Sequence, residues 1–402
     1  MPAADFDVVI VGGGLVGCSL AMALAAQGRR VGLIETQMPR AMPPGWDERC
    51  IALNAASIQI LERYGVWEAL AAQASPITAT HISERGRFGA TRFTAAEAGL
   101  PALGYNTPLR AINQVLWARM EQTGVAVFCP ASLQRFELDQ SGVQIALDTP
   151  EHPPLHTQLL VAADGARSAV RKQLGLSART HDYGQSAIVT AIRPQYPHDG
   201  VAYERFLPGG PLAILPKPDD DQGHACSLVW TVPSSELPDW MGLDDAAFLA
   251  RAQDRFGERL GRLLALGQRH SYPLQRVMSD ALTAPRTVLV GNAAQSLHPV
   301  AAQGFNLGLR DVAALAEVLR GAADAGHASL LSDYAARRRQ DRQRASDFTD
   351  RLVRLFSNTV PGLRQLRHLG LLALELDTPA RQAILQQNLG LATALPEDLF
   401  RS

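Results

Sequence analysis

Residues 7–35 read DVVIVGGGLVGCSLAMALAAQGRRVGLIE, and this stretch decides the fold. The short, apolar, β-branched run at 7–11 predicts a buried parallel strand. Residues 19–27, rich in alanine and leucine, predict a helix that ends at Gly28, and residues 30–34 predict a second strand. A strand, a glycine turn, a helix and a second strand in this order form the first unit of a doubly wound sheet.

Four positions in this stretch meet the requirements of a dinucleotide-binding turn. Gly12 permits a tight turn, Gly14 lets a pyrophosphate approach the backbone, and Gly17 lets the helix pack closely on the strand. The N–H groups at the start of the helix attract phosphate. Glu35, at the end of the second strand, suits hydrogen bonds from an adenosine ribose. The pattern predicts dinucleotide binding but does not distinguish FAD from NAD.

The bulk composition limits the class of function. The chain has 402 residues, 47% hydrophobic and 19% charged, which predicts a soluble enzyme of two intergrown domains. A net charge of −1 gives no reason to expect a nucleic-acid partner. Four scattered cysteines without a C-x-x-C pair predict free thiols and no metal site. The apolar runs are short, so we expect neither a signal peptide nor a transmembrane helix.

Two further motifs lie far along the chain. A predicted buried strand at 159–163 leads into Asp164-Gly165, which from the residues alone is simply a turn. A predicted strand at 287–290 leads into Gly291-Asn292, and the segment 298–308 reads HPVAAQGFNLG before a helix. One glycine motif is weak evidence of function, whereas three in a fixed order are much more specific.

In this order and separation, the three motifs resemble the single-component FAD-dependent aromatic hydroxylases, and the resemblance covers nearly the whole chain. It implies FAD as the cofactor. No second G-x-G-x-x-G follows a strand, so we expect NAD(P)H to bind transiently as the reductant. Most of the family carries Asp at the position of Asn292. The Asn form resembles the ubiquinone-pathway branch, which hydroxylates polyprenyl-methoxyphenols.

The resemblance implies an α/β (α+β) fold like that of para-hydroxybenzoate hydroxylase. A Rossmann-like FAD-binding domain is interleaved with a mixed β-sheet substrate domain and is followed by C-terminal helices. The expected boundaries, in chain order, are 1–72 (FAD-binding), 73–100 (substrate), 101–182 (FAD-binding), 183–280 (substrate sheet), 281–330 (flavin-ring loop and helix) and 331–402 (C-terminal helices).

The resemblance also implies cofactor contacts between the glycine motifs. Arg49 matches an arginine that approaches the FAD pyrophosphate, and a guanidinium suits phosphate because it donates two parallel hydrogen bonds. The alternative is a surface arginine. Gln114, with Arg110 in reserve, matches a polar residue that touches the cofactor near a helix start, and a solvated helix face is equally open. Asp164 matches the family's Asp-Gly motif, which touches both flavin and nicotinamide.

The last motif is implied to hold the ribityl chain and the flavin ring. Gly291 and Asn292 would contact the ribityl chain, since an amide oxygen still accepts a hydroxyl hydrogen bond. Gly304, Phe305 and Asn306 would begin a helix whose N–H groups point at the flavin ring edge, where reduced flavin carries negative charge. The family's glycine before the glutamine is Ala302 here, which puts loop flexibility in question but not cofactor binding.

Four residues are candidates for the catalytic set. In the family, the residues at the positions of His298 and Pro299 lie beside the flavin ring, and the proline flanks its substrate side. A histidine beside a proline is, however, more often structural than a proton carrier. Tyr203 and Arg205 belong to strand-like segments near the 209–216 stretch, which resembles a segment lining the substrate cavity. For both, packing within the sheet is an equally open alternative. No certain catalytic base is identified.

The implied reaction is an aromatic hydroxylation. NAD(P)H reduces FAD, the reduced flavin reacts with O2, and a C4a-hydroperoxyflavin transfers hydroxyl to a polyprenyl-methoxyphenol. Three alternatives stay open: hydroxylation of another ring position, a soluble aromatic substrate, and a non-catalytic flavin-binding scaffold of a biosynthetic complex.

The C-terminal region carries an arginine run at 337–344, a pattern typical of a solvated helix face. The basic and apolar stretch at 364–372 is consistent with a packed C-terminal cap or with contact to a membrane surface. With no signal peptide or transmembrane helix expected, we expect a cytoplasmic location. Peripheral contact at the inner face of the membrane and membership of a ubiquinone-biosynthesis complex are hypotheses.

Overall fold

The computed structural model describes residues 5–39, 49–86, 90–139, 142–149, 152–297, 303–357 and 378–393. The strands, in chain order, are β1 (Phe6–Val11), β2 (Val31–Ile34), β3 (Cys50–Asn54), β4 (Ser75–Ile77), β5 (Ala79–Glu84), β6 (Ala90–Thr94), β7 (Gly104–Pro108), β8 (Ala126–Phe128), β9 (Leu133–Leu138), β10 (Val143–Leu147), β11 (Leu155–Ala162), β12 (Ala178–Pro194), β13 (Val201–Leu207), β14 (Gly210–Pro216), β15 (Cys226–Pro233), β16 (Leu263–Leu266), β17 (His270–Ser279), β18 (Thr283–Ala284), β19 (Thr287–Leu289) and β20 (Gln295–Ser296).

The helices, in chain order, are α1 (Leu15–Ala25), α2 (Ala55–Arg63), α3 (Trp67–Ala71), α4 (Leu109–Glu121), α5 (Ala169–Gln173), α6 (Leu237–Met241), α7 (Asp245–Phe256), α8 (Gln303–Leu319), α9 (Ala328–Ser357) and α10 (Thr378–Leu389). Two short 3-10 helices span Ala96–Ala98 and Gly291–Ala293.

The first sheet is the doubly wound core that the opening stretch predicts. Its order is β18-β19-β11-β1-β2-β8, and β19, β11, β1, β2 and β8 run parallel. The apolar side chains of β1 from Val8 onward are buried because helices cover both faces of such a sheet. The carboxyl ends of β1, β11 and β19 therefore lie side by side, and each leads into one of the three motifs.

A second, mixed sheet has the order β20-β17-β12-β15-β14-β13-β5-β6 in the described residues, with β16 attached to β12. Its strands come from two separate stretches of chain, before and after α4 and α5. A three-stranded sheet, β3-β7-β4, contacts both parts of the molecule. Its strand β3 packs against α8, and Asn106 of β7 donates to Ser227 of β15 at 3.2 Å. The predicted fold class, a Rossmann-like domain interleaved with a mixed sheet, is confirmed. The six domain boundaries stay a prediction.

The two faces of the mixed sheet are distinguished by what covers them. Leu212, Leu228 and Trp230 pack with Phe248 and Phe256 of α7. Successive residues of a strand point to opposite faces, so their neighbours face the FAD-binding sheet. On that side, Ile82 of β5 packs against Ala55 of α2 and the leucines of α10.

Helices α8 and α9 are joined by a buried network of charged side chains. The Arg338 guanidinium donates to Asp311 at 2.7 Å and also to Asp341, which accepts from Arg310 at 2.8 Å. All four side chains are at most 5% exposed. Burial lowers the pKa of Arg338, but the neighbouring carboxylates raise it further, so its net direction is upward. The two cations and two carboxylates therefore compensate one another.

The prediction that the arginine run at 337–344 forms a solvated helix face is wrong for two of its arginines. Arg338 and Arg342 are buried, and they lie four residues apart on the inner face of α9. Arg342 donates to the Gln295 side chain at 2.6 Å and to the Ala294 carbonyl at 3.1 Å. The run has an exposed and a buried side because helical periodicity turns every third or fourth residue inward.

The network makes a prediction about stability. We expect Asp311→Asn to lower the free energy of unfolding by about 3 kcal/mol, because it leaves the buried Arg338 cation undercompensated. Urea denaturation followed by circular dichroism measures the change. The matched control is Asp333→Asn, which breaks an exposed pair with Arg337 and should cost under about 1 kcal/mol. Equal losses for the two variants would contradict the prediction.

Candidate functional site

The glycine turn between β1 and α1 has two closed positions and one open position. A Cβ on Gly12 would lie 2.5 Å from the Ala163 carbonyl oxygen, and one on Gly17 would lie 1.8 Å from the Gly12 carbonyl oxygen. Around Gly14, no atom of the described residues lies within 4 Å of the added Cβ. Gly12 also has φ +104°. Packing thus requires glycine at 12 and 17, whereas the space at 14 is left for a ligand.

The turn is held from behind by three side chains. The Gly13 N–H donates to Glu35 Oε2 at 2.5 Å, and the Gly13 carbonyl accepts from Trp117 Nε1 at 3.0 Å. Cys18 Sγ also donates to that carbonyl at 3.0 Å, and burial raises the pKa of the Cys18 thiol. Glu35 therefore supports the turn itself. Its expected bond to a ribose stays a prediction, since a carboxylate has several acceptor sites.

The Asp164-Gly165 motif adjoins the glycine turn. Asp164 Oδ2 accepts from the Ala169 and Val170 N–H groups at 2.7 and 3.2 Å, which caps α5. Asp164 Oδ1 is buried and has no hydrogen-bonding partner among the described residues. A buried, unsatisfied carboxylate oxygen is costly, so it favours a donor supplied by a ligand. The cofactor contact expected for Asp164 stays a prediction that this geometry accommodates.

The Gly291-Asn292 loop is fixed from several directions. The Gly291 N–H donates to Asp311 Oδ2 at 2.9 Å, and Arg171 Nη1 donates to the Ala293 carbonyl at 2.6 Å. A Cβ on Gly291 would lie 3.0 Å from the Val16 side chain, so this loop touches the start of α1. The Asn292 side chain is exposed. The structure therefore brings the three motifs together and leaves the Asn292 amide open to a ligand.

Of the residues in the first turn of α8 that are predicted to contact the cofactor, two are engaged within the protein and one borders open space. Asn306 is 1% exposed, and its side chain accepts from Ser57 Oγ at 2.6 Å and donates to the Ala52 carbonyl at 2.9 Å. Phe305 packs on the core. A Cβ on Gly304 would meet no atom within 4 Å in the part of the chain that the structure describes. The cofactor roles of these three residues stay predictions. Because the Asn306 side chain is engaged within the protein, only its main chain is available to contact a cofactor.

Arg49 and Gln114 have partners within the protein. Arg49 donates to the Tyr272 hydroxyl at 2.5 Å, and its guanidinium lies 5.4 Å from that ring centre. Gln114 accepts from Arg110 at 2.6 Å. Both expected cofactor contacts stay predictions. The Arg49 contact was not foreseen, and it links the chain before β3 to the mixed sheet.

The positions of the candidate catalytic residues give less support to their predicted roles than the positions of the cofactor-binding candidates do. His298 and Pro299 lie outside the described residues, as does Ala302. Tyr203 faces α7, where its ring lies 5.5 Å from Phe256, and burial raises its pKa. Arg205 is on the same face, near Gly257. The catalytic roles of Tyr203 and Arg205 stay predictions, but strand register points both side chains away from the FAD-binding sheet.

The opposite face of the mixed sheet carries a row of half-buried residues in direct register. Neighbouring positions on the same face are mostly buried. From the residual exposure of this row in the middle of the sheet we infer a cavity between this face and the FAD-binding sheet. The row consists of Ile82 on β5, Glu204 on β13, Ala213 on β14, Val229 on β15, Val189 on β12 and His270 on β17.

These features fit FAD. The open space at Gly14, the uncapped first turn of α1 and the orphan oxygen of Asp164 would receive a polar, phosphate-bearing ligand. The exposed Asn292 amide and the open position at Gly304 continue the same groove. The apolar row lies beyond it.

Gly14 provides a test of cofactor binding separate from folding. We expect Gly14→Ala to weaken FAD binding at least tenfold, about 1.4 kcal/mol, because its methyl group enters only ligand space. Quenching of flavin fluorescence on titration measures the affinity. Thermal unfolding should be nearly unchanged, since the φ of −71° suits alanine.

Gly17→Ala is the matched control and should instead unfold the protein or lower its melting temperature strongly, because its methyl group collides with backbone. A Gly14→Ala variant that binds FAD as tightly as the wild type would refute the proposed pyrophosphate position.

The comparisons with known proteins agree with this geometry. Residues 5–349 match the family described as FAD binding domain. The chain is 38% identical to ubiquinone hydroxylase UbiL of Rhodospirillum rubrum, covering 97% of this chain and 91% of that protein. It is 32% identical to 3-demethoxyubiquinol 3-hydroxylase of Escherichia coli, covering 96% and 98%.

Among solved structures, p-nitrophenol 4-monooxygenase PnpA of Pseudomonas putida superposes with a TM-score of 0.79 at 19% identity, covering 98% of this chain and all of that one. PqsL of Pseudomonas aeruginosa, in complex with 2-aminobenzoylacetate, gives a TM-score of 0.76 at 21% identity, covering 92% and 99%. At these identities the likeness shows the fold alone. The family match and the two closer relatives show more: the chain belongs to the family of FAD-dependent monooxygenases that includes these hydroxylases.

Proposed function

We propose that this monooxygenase hydroxylates a polyprenyl-methoxyphenol in the synthesis of ubiquinone, with NAD(P)H and O2 as co-substrates. The observation that carries the proposal is the row of half-buried residues on the mixed sheet, which faces the dinucleotide groove and whose centre is apolar. Ala213, Val229 and Val189 offer a flat, uncharged wall to an aromatic ring. A soluble aromatic acid would need a cation at that wall, and the described row contains no lysine or arginine.

Bound FAD, once reduced, would supply the activation of O2 and the transfer of one oxygen atom. The chain's own contribution is position and electrostatics. The start of α1 would hold the pyrophosphate, and the start of α8 would bring partial positive charge toward the flavin ring. The mixed sheet would place the substrate ring and exclude water from it.

The choice of ring position rests on weaker support. Asn292 in place of the family's usual Asp resembles the branch that hydroxylates polyprenyl-methoxyphenols. The Escherichia coli relative is named for hydroxylation of 3-demethoxyubiquinol, which supports a second candidate: the same chemistry at another position of the ubiquinone ring. A flavin-binding scaffold without turnover is the remaining alternative.

The polyprenyl tail suggests where the protein works. A substrate of this kind resides in the membrane, so we propose peripheral contact at its inner face and a cytoplasmic location. Among the described residues, no helix combines the length and the apolar composition needed to cross a bilayer. The basic and apolar stretch at 364–372, the candidate contact, lies outside the described residues. Flotation with liposomes tests the contact, and no co-migration with or without substrate would refute it.

The activity prediction uses cells that lack the gene. We expect them to accumulate a polyprenyl-methoxyphenol and to clear it when the gene is restored, because the missing hydroxylation blocks the later steps. Mass spectrometry of quinone precursors measures the change. A demethoxyubiquinol precursor in its place would support the second candidate. Normal ubiquinone with no accumulated precursor would contradict both.

The purified protein separates catalysis from a scaffold role. We expect NAD(P)H oxidation to accelerate when a short-chain prenyl-methoxyphenol is added. Gly14→Ala, which should bind FAD at least tenfold more weakly while keeping its fold, is the control, and its oxidation rate should fall in parallel with FAD occupancy. An NAD(P)H oxidation rate that does not change when the phenol is added would support the scaffold role and contradict the hydroxylase role.

A further inference from the structure

The row of half-buried residues that faces the dinucleotide groove contains one carboxylate. Glu204 is flanked in register by Ala213 on β14 and by Ile82 on β5. Alanine leaves room beside the carboxylate, and the aliphatic side chain offers it no hydrogen bond. A charged group of this kind is rarely placed on an apolar cavity wall without a purpose, because burying it uncompensated is costly.

The charge state of Glu204 follows from this setting. In the part of the chain that the structure describes, its carboxylate has no hydrogen bond and no ion pair. Burial alone raises the pKa of Glu204 to about 7. Glu204 is half-buried, and the strand register points its side chain to the face opposite α7, where we infer the cavity.

Other ionisable groups on this face of the sheet are too distant to replace it. Glu84 is one row along on the neighbouring strand, about 7–8 Å away, and it is buried. His270 ends the row four strands from β13, about 19 Å away at the usual strand spacing. Tyr272, one row from His270, accepts a hydrogen bond from Arg49 through its hydroxyl.

None of the described side chains on the elements packed over this face pairs with Glu204. On α10, Arg381 lies over the Phe93 ring and donates to Glu97 at 3.0 Å. Helix α9 contacts β13 and β14. In its last described turns, Asp350 is engaged by Tyr183 at 3.3 Å and by Arg276 at 3.5 Å, and Asp347 accepts from Gln343 at 2.8 Å. On β7, the Tyr105 ring packs against Trp67.

We propose that Glu204 is the catalytic base that removes the hydroxyl proton of the bound phenol. The inference rests on the proposed function, and it assigns a residue to a step for which the sequence offered none. The phenol O–H bond breaks, the proton moves to a Glu204 carboxylate oxygen, and the electron pair stays on the phenolate oxygen. The phenolate ring is richer in electrons, so it attacks an electrophilic oxygen more readily than the neutral phenol does.

The test compares Glu204→Gln with the wild type, using a 2-methoxyphenol that carries a 6-prenyl chain. We expect kcat for hydroxylation to fall about 10²-fold, with KM little changed and phenol-stimulated NAD(P)H oxidation retained. The wild-type rate should rise with pH up to about 7, since the base must be ionised, and the variant should lose this dependence. Glu204→Asp should restore part of the rate together with the pH dependence.

Glu84→Gln is the matched control because it removes a carboxylate from the same face one row away. It should keep the wild-type rate and pH profile. An equal loss in Glu84→Gln, or a Glu204→Gln variant with the wild-type kcat and profile, would overturn the assignment. A wild type that hydroxylates no prenyl phenol would overturn the proposed function and the base role together.

Unfolding gives a readout that does not depend on turnover. The folded pKa of about 7 lies above the ordinary value of 4.5, so the folded state binds more protons between these values and loses stability as pH rises through that window. The melting temperature of Glu204→Gln should therefore rise relative to the wild type from pH 4.5 to 7 and then stay constant. A pH-independent difference would show that Glu204 does not titrate there, which overturns the base role even if hydroxylation is confirmed.

Discussion

The Asp311 carboxylate is the contact on which the functional part of the molecule depends. It accepts from the Gly291 main chain and from the Gln295 side chain on one side, and from Arg338 on the other. One buried anion thus fixes the loop after β19, orients α8 and ties both to α9. Because a buried ion pair gains little net stability over an apolar core, its value here lies in holding one geometry.

That geometry makes a groove from three distant pieces of chain. Gly12, Asp164 and Gly291 follow β1, β11 and β19, whose carboxyl ends meet at one edge of the parallel sheet. In open α/β sheets, ligands bind at this edge. Arg171 bridges the second and third pieces by donating to the Ala166 and Ala293 carbonyls. The groove and the row of half-buried residues therefore belong to different sheets, and the small sheet that contains Asn106 contacts both parts.

The two sides of the site use opposite physical means. The phosphate side exposes main-chain N–H groups and open glycine positions, which suit a charged, solvated ligand. The cavity side exposes alanine and valine in register across several strands, with a single carboxylate among them. An apolar surrounding is what raises the pKa of Glu204, so the same wall that favours an aromatic ring also prepares an acceptor for its proton.

The sequence determined the glycine turn and the order of the motifs, because these follow from local periodicity and from residues that only one backbone geometry accepts. The interleaved fold class was implied by the family resemblance that these motifs carry. The tertiary structure decided which side chains support the glycine turn and the loops that carry the motifs. Arg338 and Arg342 could not be told from solvated arginines, since burial depends on the carboxylates that α8 brings to them. Trp117 gave no local sign of supporting the turn at Gly13. The sequence also named Tyr203 and Arg205 rather than Glu204, because alternation along a strand shows two faces but only packing against α7 shows which one is turned away from the cofactor.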